Sequence, residues 1–202
     1  MPAIGPPILI VPGLYNSGPN HWQSHWERAL PGAERVDQED WEVPTLGEWT
    51  ASLAEAVRRR PGAVLVAHSL GCALVAHLAR VSGGRGIGGA LLVAPAEVNR
   101  KGPAGRLLTG FSPVPRQRLP FPSTVAASRN DPFVGLEQAR AFAHGWGSRF
   151  VDLGEAGHIN VESGHGPWPE GRALLEELIA GLAPEARLLP ATVGDRSPGA
   201  AL

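Results

Sequence analysis

Three residues that together could carry out nucleophilic catalysis occur in the order serine, aspartate, histidine, as Ser69, Asp131 and His158. Each follows a short apolar run typical of a buried β-strand. A serine hydroxyl is a weak nucleophile unless a histidine takes its proton, and a carboxylate holds that histidine in the right tautomer. The three residues therefore predict acyl transfer through an acyl-enzyme on Ser69, with His158 as the base and Asp131 as its partner.

The candidate nucleophile lies in residues 63–78, which indicate a buried strand, a sharp turn and a helix. A turn this tight brings the strand and helix backbones together, so small residues are needed two positions before and after its tip. Those positions hold Ala67 and Gly71. The pattern A-H-S-L-G differs by one methyl group from the G-x-S-x-G turn that exposes a catalytic serine above a sheet. The alternative is that Ser69 only caps the helix.

The other two residues also have alternatives. Asp131 precedes a proline and could be an ordinary turn residue. Asp152 is a rival acid, although strand alternation would point it away from Ser69. His158 could be a surface loop residue, and His165 is a rival base further from the strand end. The joint occurrence of all three residue types at strand ends, in this order, favours the catalytic interpretation.

The loop after the first strand is expected to supply half of an oxyanion hole. In a turn of this type one donor is the N–H of the residue after the serine, and the other comes from that loop. These groups are the N–H of Leu70 and the N–H of Leu14. The loop leads to His21 and His25, spaced like two zinc ligands, but Trp22 stands where H-E-x-x-H requires glutamate. We predict neither a metal nor a cofactor, and expect one or both of these histidines to pack with their tryptophans or line the site entrance.

The rest of the sequence alternates strand-like apolar runs with segments of helical periodicity. Strands alternating with helices predict a doubly wound, all-parallel α/β sheet, in which sites form outside the carboxyl ends of the strands. The predicted strands are 7–11, 33–36, 64–67, 89–94, 123–128 and 148–153. The predicted helices are 21–29, 48–59, 70–78, 135–144 and 169–182. A capping box is expected at 45–48, and the glycine-rich residues 83–88 are expected to be a flexible connection.

The composition predicts one domain without a highly charged partner. With 202 residues, 43% of them hydrophobic, the chain can bury one substantial core. We place the domain at residues 1–183, followed by a tail at 184–202 that we expect to be disordered. The 18 basic and 19 acidic residues nearly cancel, so no nucleic acid or membrane partner is expected. Cys72, the sole cysteine, is expected to be a small buried residue, and the lack of a basic leader or a long apolar run predicts a cytoplasmic protein.

Residues 97–122 are rich in proline, glycine and arginine and have no clear periodicity. A stretch of this kind inside a domain is typical of a functional loop, so it could be a lid beside Ser69 or a plain surface excursion. An aromatic entrance formed by Trp22, Trp26, Trp41 and Phe111 would instead indicate a non-catalytic module that binds a peptide or protein. Tryptophans at helical spacing are, however, more often part of a core.

Four segments carry a family resemblance: V-P-G-L followed by H-W-Q-S-H-W-E at 21–27, V-A-H-S-L-G at 66–71, L-P-F-P-S-T-V-A-A-S-R-N-D-P at 119–132, and G-E-A-G-H-I-N at 154–160. Together they resemble the small α/β-hydrolases typified by retinoblastoma-binding protein 9 and the bacterial YdeN-like serine hydrolases. The resemblance implies an α/β-hydrolase-like three-layer sandwich, with a six-stranded parallel sheet, helices on both faces and a minimal cap. It maps the catalytic triad onto Ser69, Asp131 and His158.

The resemblance also implies serine hydrolase activity on small carboxylic esters, so we expect a carboxylesterase-like enzyme acting on a small-molecule acyl substrate. Amides and thioesters are alternatives, and a cofactor-free haloperoxidase side reaction stays open. A haloalkane dehalogenase would need a carboxylate in place of Ser69. Retinoblastoma protein is not expected as a partner, because the nearest match to L-x-C-x-E, residues 70–74, lacks the glutamate.

Overall fold

The computed structural model describes residues 5–99 and 107–182, which form a parallel sheet with helices on both faces. The strands are β1 (Ile8–Val11), β2 (Ala33–Arg35), β3 (Ala63–His68), β4 (Ile87–Val93), β5 (Ser123–Ala127) and β6 (Arg149–Asp152). The helices are α1 (Trp22–Ala29), α2 (Leu46–Arg59), α3 (Leu70–Ser82), α4 (Leu136–Trp146) and α5 (Pro169–Ala180), with a 3₁₀ turn at Thr109–Phe111. The six strands are ordered β2-β1-β3-β4-β5-β6 and all pairs are parallel, so the predicted fold class is confirmed.

Neighbouring residues of the central strands enter two different apolar cores, one on each face of the sheet. Leu65 and Leu92 pack in the core that contains α2, α3 and α4. Val66 and Leu91 pack in the core that contains α1 and α5. Because both faces are covered, every residue of β3 is buried, which explains the uninterrupted apolar runs of the sequence.

The chain reverses between β3 and α3 at Ser69, which has φ 54° and ψ −120°. A residue other than glycine rarely adopts such a conformation, and it persists only where the surroundings impose it. A Cβ added at Gly71 would lie 2.8 Å from the carbonyl oxygen of Pro12, and closer still to that of Val11. The turn therefore requires glycine at position 71, whereas the fully buried Ala67 shows that one methyl group fits two residues before the tip.

Some element boundaries differ from the predictions. β4 begins at Ile87, so the end of the glycine-rich segment is strand rather than connection. The reason is tertiary: Gly88 lies so close to the carbonyl of Gly62 that a side chain there would collide with it. α4 continues to Trp146, whose buried ring donates a hydrogen bond to the carbonyl of Pro115 at 2.7 Å.

The capping box predicted at the start of α2 is not formed. The helix begins at Leu46, with Thr45 at the N-cap, but the Thr45 hydroxyl donates to the carboxylate of Glu48 instead of accepting from the backbone. The predicted helix 70–78 is four residues too short, because α3 continues to Ser82. The remaining predicted elements begin and end within two residues of the observed ones. The predicted tail at 184–202 lies outside the described residues. Among the residues that are described, no helix is long and apolar enough to cross a membrane.

The prediction of an aromatic entrance, which would have indicated a binding module, is wrong. Trp22, Trp26 and Phe111 are buried in the two cores, and Trp41 is half-buried. The described parts of the 97–122 stretch are also anchored in the interior, through buried apolar side chains at Val98, Leu108, Phe111, Val114, Leu119 and Phe121. The stretch is therefore not a plain surface excursion where it is described, and the lid hypothesis falls partly on residues 100–106, outside the described ranges.

Candidate active site

The three predicted residues come together at one edge of the sheet. Ser69 follows β3, Asp131 lies in the loop after β5, and His158 lies in the loop after β6. Because all strands are parallel, their carboxyl ends meet at the same edge. Ser69 and His158 line one cavity of about 260 Å³. Its apolar wall is formed by Leu14, Leu70, Ala96, Leu108 and Phe133.

Asp131 and His158 form a buried pair. The Nδ1 atom of His158 lies 2.9 Å from Oδ2 and 3.1 Å from Oδ1 of Asp131. The Asp131 side chain is 0% exposed and that of His158 is 10% exposed. The backbone N–H of Phe133 also donates to Asp131 Oδ1, at 2.8 Å, and so orients the carboxylate. Since Nδ1 donates to the carboxylate, Nε2 of a neutral His158 carries the lone pair and can accept a proton.

A small hydrogen-bond network joins the loops that carry these two residues. Asn130 Oδ1 accepts from the N–H of Gly157 and from the hydroxyl of Ser128, both at 2.7 Å. The Ser128 hydroxyl oxygen in turn accepts from the N–H of Ala156 at 2.9 Å. This network holds Asp131 opposite His158, and sequence reasoning missed it. The only available signal was the presence of two short polar residues, Ser128 and Asn130, within the three positions before Asp131.

The proposed oxyanion donors border the serine. A Cβ added at Gly13 would lie 2.9 Å from Ser69 Cβ and 3.1 Å from Leu70 N, so the loop after β1 lies directly against the turn. Leu14 and Leu70 both line the cavity. Within residues 5–99 and 107–182, neither of their N–H groups donates to another backbone group. Free N–H groups beside a nucleophile suit the binding of a developing oxyanion.

His68, which sequence reasoning did not assign a role, contacts His158 directly. Its Nε2 lies 2.9 Å from the backbone carbonyl oxygen of His158, and the two ring centroids are 4.8 Å apart. A carbonyl only accepts, so Nε2 of His68 is the donor. Burial above all, and then the charge of His158, hold the pKa of His68 well below its usual value. His68, the residue directly before Ser69, is therefore a neutral donor to the backbone of His158, the candidate base.

His21 also lines the cavity, as expected for one of the two helical histidines. Its ring centroid lies 4.9 Å from that of His68 and 5.3 Å from that of Trp22. His25 instead lies beside the exposed Arg28, with Nδ1 3.3 Å from the guanidinium. Among the described residues there is no cluster of three or more potential metal ligands.

The rival acid and base are engaged elsewhere. Asp152 accepts hydrogen bonds from Arg129 at 3.1 Å and from the N–H of Gly154 at 3.0 Å. Nδ1 of His165 lies 3.2 Å from the hydroxyl of Ser163. Asp131 and His158 are the acid and base candidates that the structure pairs at the cavity.

Taken together, the parallel sheet covered by helices on both faces and the serine on the turn after β3 define an α/β-hydrolase fold. The edge that carries Ser69 also carries the histidine–carboxylate pair, which is the arrangement of a serine hydrolase.

Residues 8–177 match the family described as serine hydrolase, and the chain belongs to this family. A YdeN-like hydrolase from Pectobacterium atrosepticum is 35% identical, with 87% of this chain and 91% of that chain covered and a TM-score of 0.77. The ydeN gene product of B. subtilis is 20% identical, with 87% and 99% covered and a TM-score of 0.73. Est1E from Butyrivibrio proteoclasticus, solved with ferulic acid bound, is 16% identical, with 89% and 91% covered and a TM-score of 0.68.

The predicted membership of the YdeN-like serine hydrolases is thus confirmed. The similarity to the structures that are less than 25% identical in sequence shows the fold alone. No protein with a curated description matches this chain.

Proposed function

We propose that this serine hydrolase cleaves small carboxylic acyl esters through an acyl-enzyme on Ser69. The observation that supports this most strongly is the buried Asp131–His158 pair, with 2.9 Å between Oδ2 and Nδ1, beside the cavity that Ser69 lines. A carboxylate buried against a histidine serves to orient the ring and stabilise its charged form. Such a pair next to a serine held at φ 54° is suited to activating that serine.

In the first half of the reaction, Ser69 Oγ attacks the ester carbonyl carbon while Nε2 of His158 takes the hydroxyl proton. The carbonyl oxygen becomes an oxyanion, which the N–H groups of Leu14 and Leu70 stabilise. Each such donor is worth about 3 to 4 kcal/mol in other enzymes. The tetrahedral intermediate then collapses, the C–O bond to the alcohol breaks, and the alcohol leaves with the proton from His158.

In the second half, water attacks the acyl carbon and gives its proton to Nε2 of His158. The bond to Ser69 Oγ breaks, the serine recovers the proton, and the carboxylic acid leaves. Asp131 keeps Nδ1 protonated throughout, so that Nε2 alternates between base and acid. Thioesters and activated amides would pass through the same acyl-enzyme and are secondary candidates.

The size and lining of the cavity support a small acyl group. Its volume of about 260 Å³ lies just below the roughly 300 to 1,000 Å³ of pockets that bind drug-sized molecules. Most of the wall near Ser69 is aliphatic or aromatic. We therefore expect acyl chains of a few carbons to be cleaved better than long ones.

The test combines covalent labelling with turnover of p-nitrophenyl acetate, butyrate and octanoate. A fluorophosphonate should add once to the wild-type protein, at Ser69, as read by intact mass and peptide mapping. Ser69→Ala should lose the adduct and lower kcat by about a thousandfold or more. Ser82→Ala, at the other end of α3, is the matched control and should behave as wild type. Turnover retained by Ser69→Ala, or no adduct on a folded wild-type protein, would refute the proposal.

A further inference from the structure

One histidine that lines the cavity has a ring nitrogen without a hydrogen-bond partner among the described residues. His21 is 6% exposed and lines the cavity together with Ser69 and His158. Its Nε2 atom is buried and has no hydrogen-bond partner among the described residues. An unpaired buried donor costs about 1 to 3 kcal/mol, so such a group in a folded protein requires an explanation.

The start of α1 determines which nitrogen of His21 carries the proton. The backbone N–H of Gln23 donates to Nδ1 at 3.2 Å, as expected when His21 is the N-cap residue. Nδ1 therefore presents its lone pair, and the proton of the neutral ring is on Nε2. Burial, and then the positive charge of Arg35, lower the pKa of His21 to about 3. The group is thus a neutral N–H donor at any pH near neutrality.

The donor is also held in a fixed position. The buried side-chain amide of Gln23 donates to the carbonyls of Val11 and Val66, at 3.2 and 3.0 Å. These bonds tie the start of α1 to the last residue of β1 and to β3 two residues before its end. The chain continues from β1 into the loop with Leu14 and from β3 into the turn at Ser69. The His21 ring packs against that of His68, and the His68 ring packs against that of His158, with centroid separations of 4.9 and 4.8 Å.

We propose that the Nε2–H of His21 binds an acceptor oxygen of the substrate, one that is separate from the ester group itself. The inference rests on the proposed function and narrows its substrate class. Acyl groups or alcohols that carry an ether, hydroxyl or keto oxygen are preferred over hydrocarbon groups of the same size. The physical reason is that the buried N–H already lacks a partner in the free protein. An acceptor oxygen that reaches it gains a hydrogen bond, whereas a methylene group gains none.

Two pairs of esters test the preference, and each pair differs by an oxygen in place of one methylene. The first pair is p-nitrophenyl methoxyacetate and p-nitrophenyl butyrate. The second is 2-methoxyethyl acetate and butyl acetate. The intrinsic reactivity of an ester is the same for every variant, so the change in the kcat/KM ratio within a pair isolates the contribution of His21. A change in the first pair places the acceptor oxygen in the acyl group, and a change in the second places it in the alcohol.

Two substitutions remove the donor in different ways. His21→Asn keeps a side-chain oxygen that can cap α1 but is too short to replace Nε2, and His21→Phe keeps a ring without either nitrogen. Both should lower the oxygen-over-methylene ratio of one pair by roughly 3- to 10-fold. His25→Asn, on the same helix but away from the cavity, should leave both ratios unchanged. Unchanged ratios in both His21 variants would mean that no substrate oxygen reaches the N–H, and would overturn the inference.

A binding measurement separates this inference from the proposed function. Calorimetry of the four esters with Ser69→Ala, alone and combined with His21→Asn, requires no turnover. If the wild-type protein hydrolysed none of the esters, ester hydrolysis would be refuted. Tighter binding of the oxygenated ester, lost with His21→Asn, would still support the donor. Equal binding within both pairs, or no binding of any ester, would refute it.

Discussion

Replacing His68 with phenylalanine is expected to uncouple His158, the proposed base, from the turn at Ser69 while the core stays filled. His68 directly precedes Ser69, and its Nε2–H donates to the carbonyl of His158 at 2.9 Å. Phenylalanine has a ring of similar size but no donor. The carbonyl of His158 then loses its buried partner, and the backbone that carries the base is free to shift relative to Ser69.

The expected size of the effect follows from that one bond. Leaving a buried carbonyl unpaired costs about 1 to 3 kcal/mol. If the whole cost falls on the transition state, kcat for a p-nitrophenyl ester decreases by roughly 5- to 150-fold. The change in KM should be smaller, because the reacting groups are displaced while most of the cavity wall is unchanged.

His77→Phe is the matched control for this substitution. His77 is 4% exposed, and its Nε2 lies 2.8 Å from the carbonyl of Phe111, so the same type of bond is lost at a residue that does not line the cavity. His77→Phe also removes a buried Nδ1 that has no partner among the described residues, so it should lower Tm no more than His68→Phe does. Only His68→Phe should lose kcat. His68→Gln, which restores a side-chain N–H, should recover part of the activity. Equal kcat losses in the two phenylalanine variants, or a kcat for His68→Phe within about twofold of wild type, would refute the positioning role.

Three further predictions concern stability and reactivity. Gly71→Ala should lower the free energy of unfolding in urea by about 1 to 3 kcal/mol, because the new methyl meets backbone carbonyls. At Gly47 an added methyl group would meet nothing within 4 Å, so Gly47→Ala should raise that free energy by about 0.5 kcal/mol. Equal changes in the free energy of unfolding for the two variants would contradict the packing argument. The folded protein keeps His21 neutral down to pH about 3, whereas the unfolded chain protonates it below about 6.5. The free energy of unfolding should therefore decrease as the pH is lowered from about 6.5 to about 3, by at most about 1.4 kcal/mol per pH unit for this group. The same pH dependence of stability in His21→Asn would contradict this. The thiol of Cys72 is buried, which raises its pKa, so Ellman's reagent should modify it only after unfolding, and rapid reaction of the native protein would disprove its burial.

The alternation of strands and helices was predictable because both faces of the sheet are covered. Burial on two sides makes the apolar runs continuous, as in residues 64–67 and 89–94, and a change to helical periodicity marks each crossover. Parallel topology then brings the carboxyl ends of the strands to one edge. Residue types alone were therefore enough to place Ser69, Asp131 and His158 near one another.

The ends of the strands and helices, and the exposure of individual side chains, depended on tertiary contacts that the hydrophobic periodicity of the sequence does not encode. Gly88 belongs to β4 because the neighbouring backbone at Gly62 approaches it closely, although a glycine-rich run usually indicates a connection. The i, i+4 spacing of Trp22 and Trp26 indicates a common helix face. It does not say what covers that face, and in the folded chain Trp168 packs against both rings.

The finer geometry of the site was decided only by the tertiary structure. The bond from His68 to the carbonyl of His158 joins residues 90 positions apart. The unpaired nitrogen of His21 becomes evident only when every neighbour of its ring is known. Such features depend on loop paths and side-chain rotamers, which leave no periodic signal in the sequence. The amino-acid order determined the fold and the residue types at the sheet edge, and tertiary packing decided which donors and acceptors around them are paired.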